Sequence, residues 1–248
     1  MYNPFTLEGK AILVTGASSG IGRATAIECS KMGATVVITG RNEQRLNETY
    51  LQLEGDNHIQ IIADLCVNSD IDVLVDQLPL LDGCVNNAGV VKTLLTQFIS
   101  EEAIKNILQV NTIAPILLTQ QLIKKKKLNK NSSIVFTSSV SGVFVAALGN
   151  VLYSTSKGAI NGFVKNSALD LASKKIRVNA VTPAMINTAI FDEGTITEEQ
   201  LQEDMKKYPL KRYGKPEEVA FAIIYLLSDA SSWVTGSNLL IDGGFSLL

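Results

Sequence analysis

Tyr153 and Lys157 are four residues apart, with three small or hydroxylic residues between them in the sequence YSTSK. On a helix this spacing places the phenol and the ammonium on one face. A free tyrosine has a pKa of about 10, too high for efficient proton transfer at neutral pH, and a neighbouring cation lowers that pKa by favouring the phenolate. The pair therefore predicts a tuned proton donor, although an ordinary exposed helix turn can carry the same residues.

A glycine-rich turn, TGASSGIG (15–22), follows an apolar run and opens a helical segment. Gly16 allows a tight exit from a strand, Gly20 lets the backbone approach a pyrophosphate, and Gly22 lets the helix lie close to a sheet. The helix N-terminus adds N–H donors and positive potential. The turn therefore predicts a dinucleotide site, and its candidate residues are Gly16, Ser18, Ser19, Gly20, Ile21 and Gly22.

The second predicted strand ends in ITGRN, without the carboxylate that would accept from both ribose hydroxyls of NAD. Gly40 stands in its place and Arg41 follows, and a guanidinium matches the oxygens of a 2′-phosphate. This end of the strand predicts a preference for NADP(H). Asp64, at the end of the third predicted strand, is placed to meet the adenine amino group or to cap a turn.

The elements that position these residues are short apolar runs that alternate with helix-length segments. The runs are continuously apolar, as strands buried on both faces should be. They predict a single α/β domain over 1–248, a Rossmann-type, doubly wound sheet of seven parallel strands with helices on both faces. The predicted strands are 11–16, 35–40, 58–65, 81–89, 132–139, 176–183 and 238–244. The polar, proline-interrupted segment 188–218 is predicted to be a substrate lid or a plain surface excursion.

Composition excludes several classes of partner. The 248 residues carry 22 basic and 24 acidic side chains, so no global field favours nucleic acid or an anionic membrane. No apolar run reaches the ~18 residues of a membrane span, and the N-terminus lacks a signal core. Cys29, Cys66 and Cys84 are scattered in apolar surroundings, which indicates reduced thiols and a cytoplasmic location. The only histidine, His58, argues against a histidine base and against a bound metal.

Further motifs follow in order along the chain: NNAG (86–89), LQVNTIAP around Asn111, TSS (137–139), YSTSK, NAVTP (179–183) and DGG (242–244). With the glycine-rich turn, they make essentially the whole chain resemble the short-chain dehydrogenase/reductase superfamily. The resemblance implies that Tyr153 exchanges a proton with the substrate and that Ser139 hydrogen-bonds the substrate oxygen. It implies that Lys157 binds the nicotinamide ribose and lowers the pKa of Tyr153, while Asn111 anchors a water that relays protons to Lys157. The further cofactor contacts that it implies are Asn87, Ala88, Gly89, Pro183, Ile186 and Thr188.

The sequence departs from the family pattern at two points. Ser139 is fourteen residues before Tyr153, one more than is usual, and Val140 occupies the usual position. We expect one extra residue in the loop before Tyr153, with Ser138 and Ser141 as alternatives to Ser139. Pro183 is followed by Ala184, where the family has glycine, which removes some backbone freedom from the loop after the sixth strand.

The motifs look most like those of 3-oxoacyl-acyl-carrier-protein reductases, which implies NADPH-dependent reduction of a ketone to a secondary alcohol. Sugar, steroid and polyol dehydrogenases share the same motifs and remain alternatives. A non-catalytic NADP(H)-binding regulator is a further alternative, which a broken Tyr/Lys/Ser set would favour. The extended epimerase branch would space its glycines differently, and the divergent enoyl reductases would place six residues between tyrosine and lysine.

The resemblance also bears on partners. It makes an acyl-carrier protein a candidate partner besides the small carbonyl or alcohol substrate, although the position where docking surfaces tend to be basic is Leu169 here, followed by Asp170. It also implies a homotetramer.

Overall fold

Residues 2–188 and 197–248 are described by a computed structural model of the chain. Seven parallel strands form one sheet in the order β3-β2-β1-β4-β5-β6-β7, so the two halves of the sheet start from the neighbours β1 and β4. This confirms the predicted doubly wound sheet, whose ligand site is expected at the carboxyl ends of the strands where the order reverses. The strands are β1 (Ala11–Thr15), β2 (Thr35–Gly40), β3 (Ile59–Ile62), β4 (Leu81–Asn86), β5 (Leu128–Thr137), β6 (Arg177–Pro183) and β7 (Asn238–Ile241).

The helices lie between the strands, and some of them begin at residues whose side chains cap the helix N-terminus. The Asn42 side chain accepts from Arg45 N at 2.9 Å, and Thr197 and Gln200 form a capping box. The helices are α1 (Gly20–Lys31), α2 (Glu43–Tyr50), α3 (Asn68–Gln77), α4 (Glu101–Leu108), α5 (Ala114–Lys124), α6 (Val151–Leu171), α7 (Glu198–Met205) and α8 (Pro216–Leu227). A π-helical turn, Gln109–Ile113, joins α4 to α5.

The core is divided by the sheet. Val14 of β1 packs in a cluster with buried residues of α1 and α8, whereas its neighbour Leu13 packs with buried residues of α3 and α5. Both side chains are fully buried. This two-sided burial is the reason that the strands read as continuous apolar runs rather than as alternating ones.

The predicted lid, 188–218, is described only in part, because residues 189–196 lie outside the described residues. The remainder contains α7 and a loop whose Leu210 N donates to Gly243 O at 3.3 Å, so this loop contacts the C-terminal segment. A role as a lid stays a prediction. In the described ranges, no helix is both long and apolar enough to cross a lipid bilayer.

His58 and two of the three cysteines have contacts that support the fold. Nδ1 of His58, just before β3, accepts from Val36 N at 3.1 Å, and Nε2 lies 3.0 Å from Glu54 O. The three cysteines are free thiols, and burial raises the pKa of Cys29 and Cys84 to about 12. The imidazole thus supports the start of β2, and the two buried thiols behave as small apolar core residues.

Leu118 of α5 tests the contribution of the core face covered by α3 and α5. It is fully buried, so Leu118→Ala leaves a cavity and is expected to lower the free energy of unfolding by about 2 to 5 kcal/mol. Leu51→Ala is the matched control, because Leu51 is 74% exposed and its loss should change stability by less than about 0.5 kcal/mol. Urea unfolding of both variants checks this, and equal effects would contradict the assignment of the core.

Candidate active site

The glycine-rich turn is packed so closely that side chains cannot replace its glycines. Gly16 has a φ of +64°, and a Cβ added to it would lie 2.8 Å from Ala88 Cα. A Cβ on Gly22 would clash with the carbonyl of Gly16, while one on Gly20 would lie 3.2 Å from Thr188 Cγ2. Ser19, in extended backbone, is the N-cap of α1, and Ile21 packs on the core. The turn thus presents backbone and the N-terminus of α1, a surface that fits a pyrophosphate.

Thr15 connects this turn to the NNAG motif. Its hydroxyl accepts from Asn87 N at 3.0 Å and from Ala88 N at 3.1 Å, and it lies 3.2 Å from Val85 O. The Asn87 amide donates to Thr15 O at 3.2 Å. Sequence reasoning missed Thr15, whose only signal is a polar residue at the end of an apolar strand. The hydrogen bonds position Asn87, Ala88 and Gly89 against the turn at the centre of the sheet.

Arg23 is a second residue that sequence reasoning missed. Its guanidinium donates to Ser18 O at 2.7 Å and to Thr49 Oγ1 at 3.0 Å. Thr49 in turn donates to Ala17 O at 2.9 Å. These bonds attach the glycine-rich turn to α2, so the carbonyls of Ala17 and Ser18 point away from the turn's ligand face.

The end of β2 places Gly40 beside Ser18, and Arg41 follows Gly40 in the chain. A Cβ on Gly40 would lie 3.6 Å from Ser18 Oγ, an ordinary contact. The Arg41 guanidinium is 64% exposed and lies 3.8 Å from Asp64 Oδ2. The other oxygen of Asp64 accepts from Cys66 N at 2.9 Å, so Asp64 does cap a turn, and its predicted contact with adenine remains untested.

Tyr153, Ser139 and Lys157 come together at the ends of β5 and the start of α6. The Ser139 hydroxyl faces the Tyr153 phenol closely enough to lower its pKa, and Ser139 Oγ accepts from Ser141 N at 3.2 Å. Nζ of Lys157 lies 5.8 Å from the centre of the Tyr153 ring and donates to Thr137 O at 2.7 Å. The structure therefore brings the three predicted side chains to one place.

The alternatives to Ser139 are less well placed. The Ser138 hydroxyl faces α6, where it lies 3.4 Å from Lys157 O and accepts from Asn161 Nδ2 at 3.0 Å. Val140 is a buried side chain whose N donates to Pro183 O at 3.1 Å. Ser141 is buried in the turn that follows, and its backbone N–H donates to Ser139. Of these residues it is Ser139 whose side chain acts on the Tyr153 phenol, as the predicted role requires.

Burial controls the ionisation of the two central groups. It raises the pKa of Tyr153, and the side chain of Ser139 opposes that shift. It also lowers the pKa of Lys157 from 10.5 to about 8. The expectation of a lowered Tyr153 pKa is therefore not met by the chain's own groups, because desolvation of the phenol outweighs the effect of Ser139. The Lys157 Nζ bonds the Thr137 carbonyl instead.

Asn111 lies in the π-helical turn and is buried. Its Oδ1 accepts from Val90 N at 2.8 Å, and its Nδ2 donates to Val90 O at 2.9 Å and to Ser156 Oγ at 3.0 Å. A Cβ built on Gly89 would lie 3.3 Å from Asn111 Oδ1 and 3.4 Å from Lys157 Nζ, so these two groups border the same gap. The side chain of Asn111 thus positions the loop after β4, and a water site there remains a prediction.

The loop after β6 carries Ile186 and brings Thr188 next to Gly20 of the glycine-rich turn. Pro183 ends β6 opposite Ile241, and Ala184 N donates to Ile241 O at 3.0 Å. Gly214 N donates to Met185 O, and Asn187 N donates to Gly214 O. These two hydrogen bonds form a parallel β-bridge between Ile186 and Gly214. The bridge uses backbone groups of Met185 and Asn187, so the N–H and C=O of Ile186 itself point away from Gly214.

Comparison with known proteins identifies the family. A family model described as "Enoyl-(Acyl carrier protein) reductase" matches residues 16–246. The chain is 36% identical over 244 residues to the 3-oxoacyl-[acyl-carrier-protein] reductase FabG of Thermotoga maritima, covering 96% of this chain and 98% of that protein. The chain belongs to the short-chain dehydrogenase/reductase family. The resemblance predicted from the motifs is confirmed.

Other members of the short-chain dehydrogenase/reductase family match over similar lengths. The protein of Rickettsia felis with the same name as the Thermotoga relative is 34% identical over 242 residues, covering 98% of this chain and 99% of that protein. A solved structure described as a "short chain dehydrogenase/reductase family protein" has a TM-score of 0.86 and 30% identity, covering 98% of this chain and 99% of the other. As a member of this family the chain is an oxidoreductase that acts on a carbonyl or hydroxyl group with a nicotinamide cofactor.

The depressed pKa of Lys157 predicts how stability depends on pH. Because the pKa is about 8 in the folded protein and 10.5 ordinarily, the unfolded chain binds more protons between these values. The free energy of unfolding is therefore expected to gain up to about 3 kcal/mol from Lys157 as pH rises through this window. Lys157→Met removes this gain, which urea unfolding of both proteins below pH 8 and near pH 10.5 measures.

Lys165→Met is the control for this experiment, because Lys165 lies on the exposed face of the same helix. This substitution removes an exposed positive charge and leaves Lys157 in place. The free energy of unfolding of the variant should therefore follow that of the wild type across the window. A Lys157→Met protein with the wild-type pH dependence would contradict the burial of a charged ammonium at this site.

Proposed function

We propose that the protein reduces a ketone, with a 3-oxoacyl thioester as the preferred candidate, to a secondary alcohol by using NADPH. The proposal is carried by one observation, the convergence of the Ser139 hydroxyl and the Lys157 ammonium on the Tyr153 phenol at the carboxyl ends of the strands. The names of the Thermotoga and Rickettsia relatives support the substrate class. The intact set of the three side chains argues against a non-catalytic regulator.

Each residue has a distinct part in the proposed reaction. The hydroxyls of Ser139 and Tyr153 donate to the substrate carbonyl oxygen and orient it. Tyr153 transfers its proton to that oxygen as the alkoxide develops, and the Lys157 ammonium stabilises the resulting phenolate. When bound, the nicotinamide supplies the hydride for the carbonyl carbon. In the reverse direction the phenolate would take the alcohol proton.

Ionisation of the two groups supports this arrangement. A pKa of about 8 lets Lys157 carry charge at neutral pH although it is buried. An uncharged, buried phenol keeps its proton until negative charge develops on the substrate oxygen. The chain's own groups thus maintain Tyr153 as an acid, the form that carbonyl reduction requires.

The glycine-rich turn, the NNAG motif and the loop 184–188 would hold the cofactor. Gly16 and Gly22 leave backbone rather than side chains facing Asn87 and Ala88, since a Cβ on either glycine would clash there. A pyrophosphate could therefore approach the backbone of the turn closely. Ser18 and the exposed guanidinium of Arg41 would bind a 2′-phosphate, which supports NADP(H) over NAD(H). The backbone of Ile186 would hold the carboxamide, and Thr188 would close the cradle over Gly20.

The rim of the site suits a partly apolar substrate. Exposed apolar side chains lie in the two loops that meet in front of α6, where Leu94 N donates to Gly149 O at 2.8 Å. They include Val91, Val143, Phe144 and Leu148. Such a rim can accept an acyl chain, and sugars or polyols would find few polar partners on it. A steroid is also largely apolar, so this rim would accept a steroid as well as an acyl chain.

We further propose a cytoplasmic homotetramer that receives its substrate from an acyl-carrier protein. Large exposed apolar side chains lie on several elements of the monomer, among them Leu169 of α6 and Phe221 of α8. These residues favour burial against other subunits. Leu169 is also the position where a basic docking residue was expected, so carrier docking would have to use other residues.

Tyr153→Phe tests the proton donor. The variant keeps the ring but loses the proton, so reduction of an acetoacetyl thioester by NADPH should fall by at least about 100-fold. NADPH affinity, measured by fluorescence titration, should stay close to that of the wild type. Tyr2→Phe is the control, because Tyr2 is 89% exposed and its hydroxyl has no part in the site. Undiminished turnover in Tyr153→Phe would remove this residue from the mechanism.

The same assay separates the candidate substrates. A crotonyl thioester offers a carbon–carbon double bond in the same carrier, the substrate class that the description of the matching family model names. The proposed function requires reduction of the acetoacetyl thioester at a rate comparable to that of the best simple ketone. Preference for the crotonyl thioester would overturn it in favour of enoyl reduction, and preference for a sugar or steroid substrate in favour of those dehydrogenases.

Gly40→Asp tests the cofactor preference. A Cβ at this position makes only ordinary contacts, so the substitution should fold normally. The carboxylate would repel a 2′-phosphate and accept from the ribose hydroxyls of NADH, and we expect the ratio of NADPH to NADH efficiency to fall by at least about tenfold. Gly40→Ala, which adds the same Cβ without charge, should retain the wild-type ratio. A wild type that uses NADH as well as NADPH would contradict the proposed preference.

A further inference from the structure

An aromatic cluster joins the loop after α7 to the C-terminal segment. The rings of Tyr208 and Phe245 are stacked with their centres 4.7 Å apart and an angle of 21° between the planes. Tyr213 packs edge-on against Tyr208, with centres 5.5 Å apart. Tyr208 and Tyr213 are buried, although both lie in a loop. Because offset and edge-on ring contacts have preferred geometries, the cluster fixes the two segments relative to each other.

The C-terminal segment is shaped to bring Phe245 to this position. Gly243 and Gly244 have φ values of +59° and +84°, a left-handed conformation that glycine adopts at little cost. Asp242 accepts from Gly244 N at 3.0 Å and from Ser246 N at 2.8 Å, which closes the turn around Phe245. The turn lies against the loop, since a Cβ on Gly244 would be 2.9 Å from Pro209 Cγ.

The cluster is in direct contact with the loop that would hold the nicotinamide end of the cofactor. Gly214, next to Tyr213, bonds Met185 O at 3.0 Å and Asn187 N at 2.8 Å, on either side of Ile186. The backbone N–H of Met185 also faces the Tyr208 hydroxyl oxygen, where it opposes the rise in the Tyr208 pKa that burial causes. Ile186 is therefore connected to the cluster through both of its neighbours.

The loop 184–188 borders a cavity on the side that faces the aromatic cluster. A cavity of about 130 Å³ lies there, and Met185, Ile186, Tyr208 and Asp242 are among its lining residues. Close packing normally restrains a buried loop. Here the restraint comes from the bridge to Gly214 and from the ring contacts that position it.

We propose that Tyr208 and Phe245 are positioning residues for the nicotinamide end of the cofactor. They set the backbone of Ile186 through Met185 and Gly214, and they touch neither the substrate nor the reacting atoms. The inference rests on the proposed function, because it assigns the loop 184–188 to the cofactor. It extends that function to the C-terminal segment, which the active-site motifs do not include.

Phe245→Ala tests the inference with two ligands. NADPH reaches the loop 184–188, whereas adenosine 2′,5′-bisphosphate occupies only the half of the site formed by the glycine-rich turn and Arg41. Loss of the stacked ring should leave the loop in its binding geometry for a smaller fraction of the time. We expect the dissociation constant of NADPH to rise about fivefold, with that of the bisphosphate unchanged. Fluorescence titration measures the first, and competition against NADPH measures the second.

Four further variants extend the test. Tyr208→Phe retains both ring contacts and removes only the hydroxyl that faces Met185, and it should shift NADPH affinity in the same direction by less. Tyr50→Phe is the control for loss of a phenol hydroxyl that contacts the backbone, because Tyr50 donates to His58 O at 3.2 Å at the far edge of the sheet. Phe5→Ala controls for loss of an aromatic contact, since Phe5 packs on Tyr225 with ring centres 6.2 Å apart. Phe245→Leu replaces Phe245→Ala if that variant does not fold.

The outcomes separate this inference from the proposed function. A selective loss of NADPH affinity in Phe245→Ala, together with a lower kcat and neither effect in the controls, supports it. Equal losses for both ligands, or wild-type values for both, overturn it while leaving NADPH-dependent reduction by the wild type intact. A wild type that neither binds NADPH nor reduces ketones overturns the proposed function itself and this inference with it.

Discussion

The buried ammonium of Lys157 is the constraint on which the site depends. Its Nζ donates to Thr137 O at 2.7 Å, at the end of β5, and removing a cation from water is costly unless such partners are provided. The Thr137 hydroxyl donates to Asn87 Oδ1 at 3.1 Å, and the Asn87 amide donates to Thr15 O at 3.2 Å. One hydrogen-bonded path therefore runs from the ammonium to the glycine-rich turn. The acid–base group and the cofactor cradle are positioned by the same strand ends, so neither can move without the other.

The sheet could be predicted from sequence because two-sided burial leaves a simple pattern. Leu13 and Val14 face opposite cores, and such pairs make the strands continuously apolar. β5 begins at Leu128 rather than at the predicted 132. Residues 129–131 are polar and give no apolar signal, and Leu128 pairs with Leu81 of β4 just before the register shifts. Asn131 there has a φ of +66°, a conformation that apolar patterning does not report. Boundaries formed by such local irregularity need the neighbouring strand to define them.

Much of the candidate site could be predicted as well, since Tyr153, Lys157 and the glycines have fixed spacings. The supporting residues could not be predicted. Thr15 binds Asn87 across 72 positions of sequence, and Arg23 reaches Thr49 across 26, so neither contact has a local signal. The pKa of Tyr153 was expected to fall from its spacing to Lys157, but it rises because burial depends on the whole fold. Spacing thus predicts which groups meet, and tertiary structure decides how they ionise.

The π-helical turn at Gln109–Ile113 shows how a departure from regular structure serves this arrangement. A wider turn between α4 and α5 directs Asn111 at the loop after β4, where its amide makes two hydrogen bonds to Val90 and one to Ser156. Burying an amide without such partners would lower the free energy of unfolding by about 1 to 3 kcal/mol. The Asn111 amide instead bonds the backbone N–H and C=O of Val90, as a neighbouring strand would. Ser156 belongs to α6, which also carries Tyr153 and Lys157. The loop beside the cofactor cradle is therefore fixed to the catalytic helix, so the position of one defines that of the other.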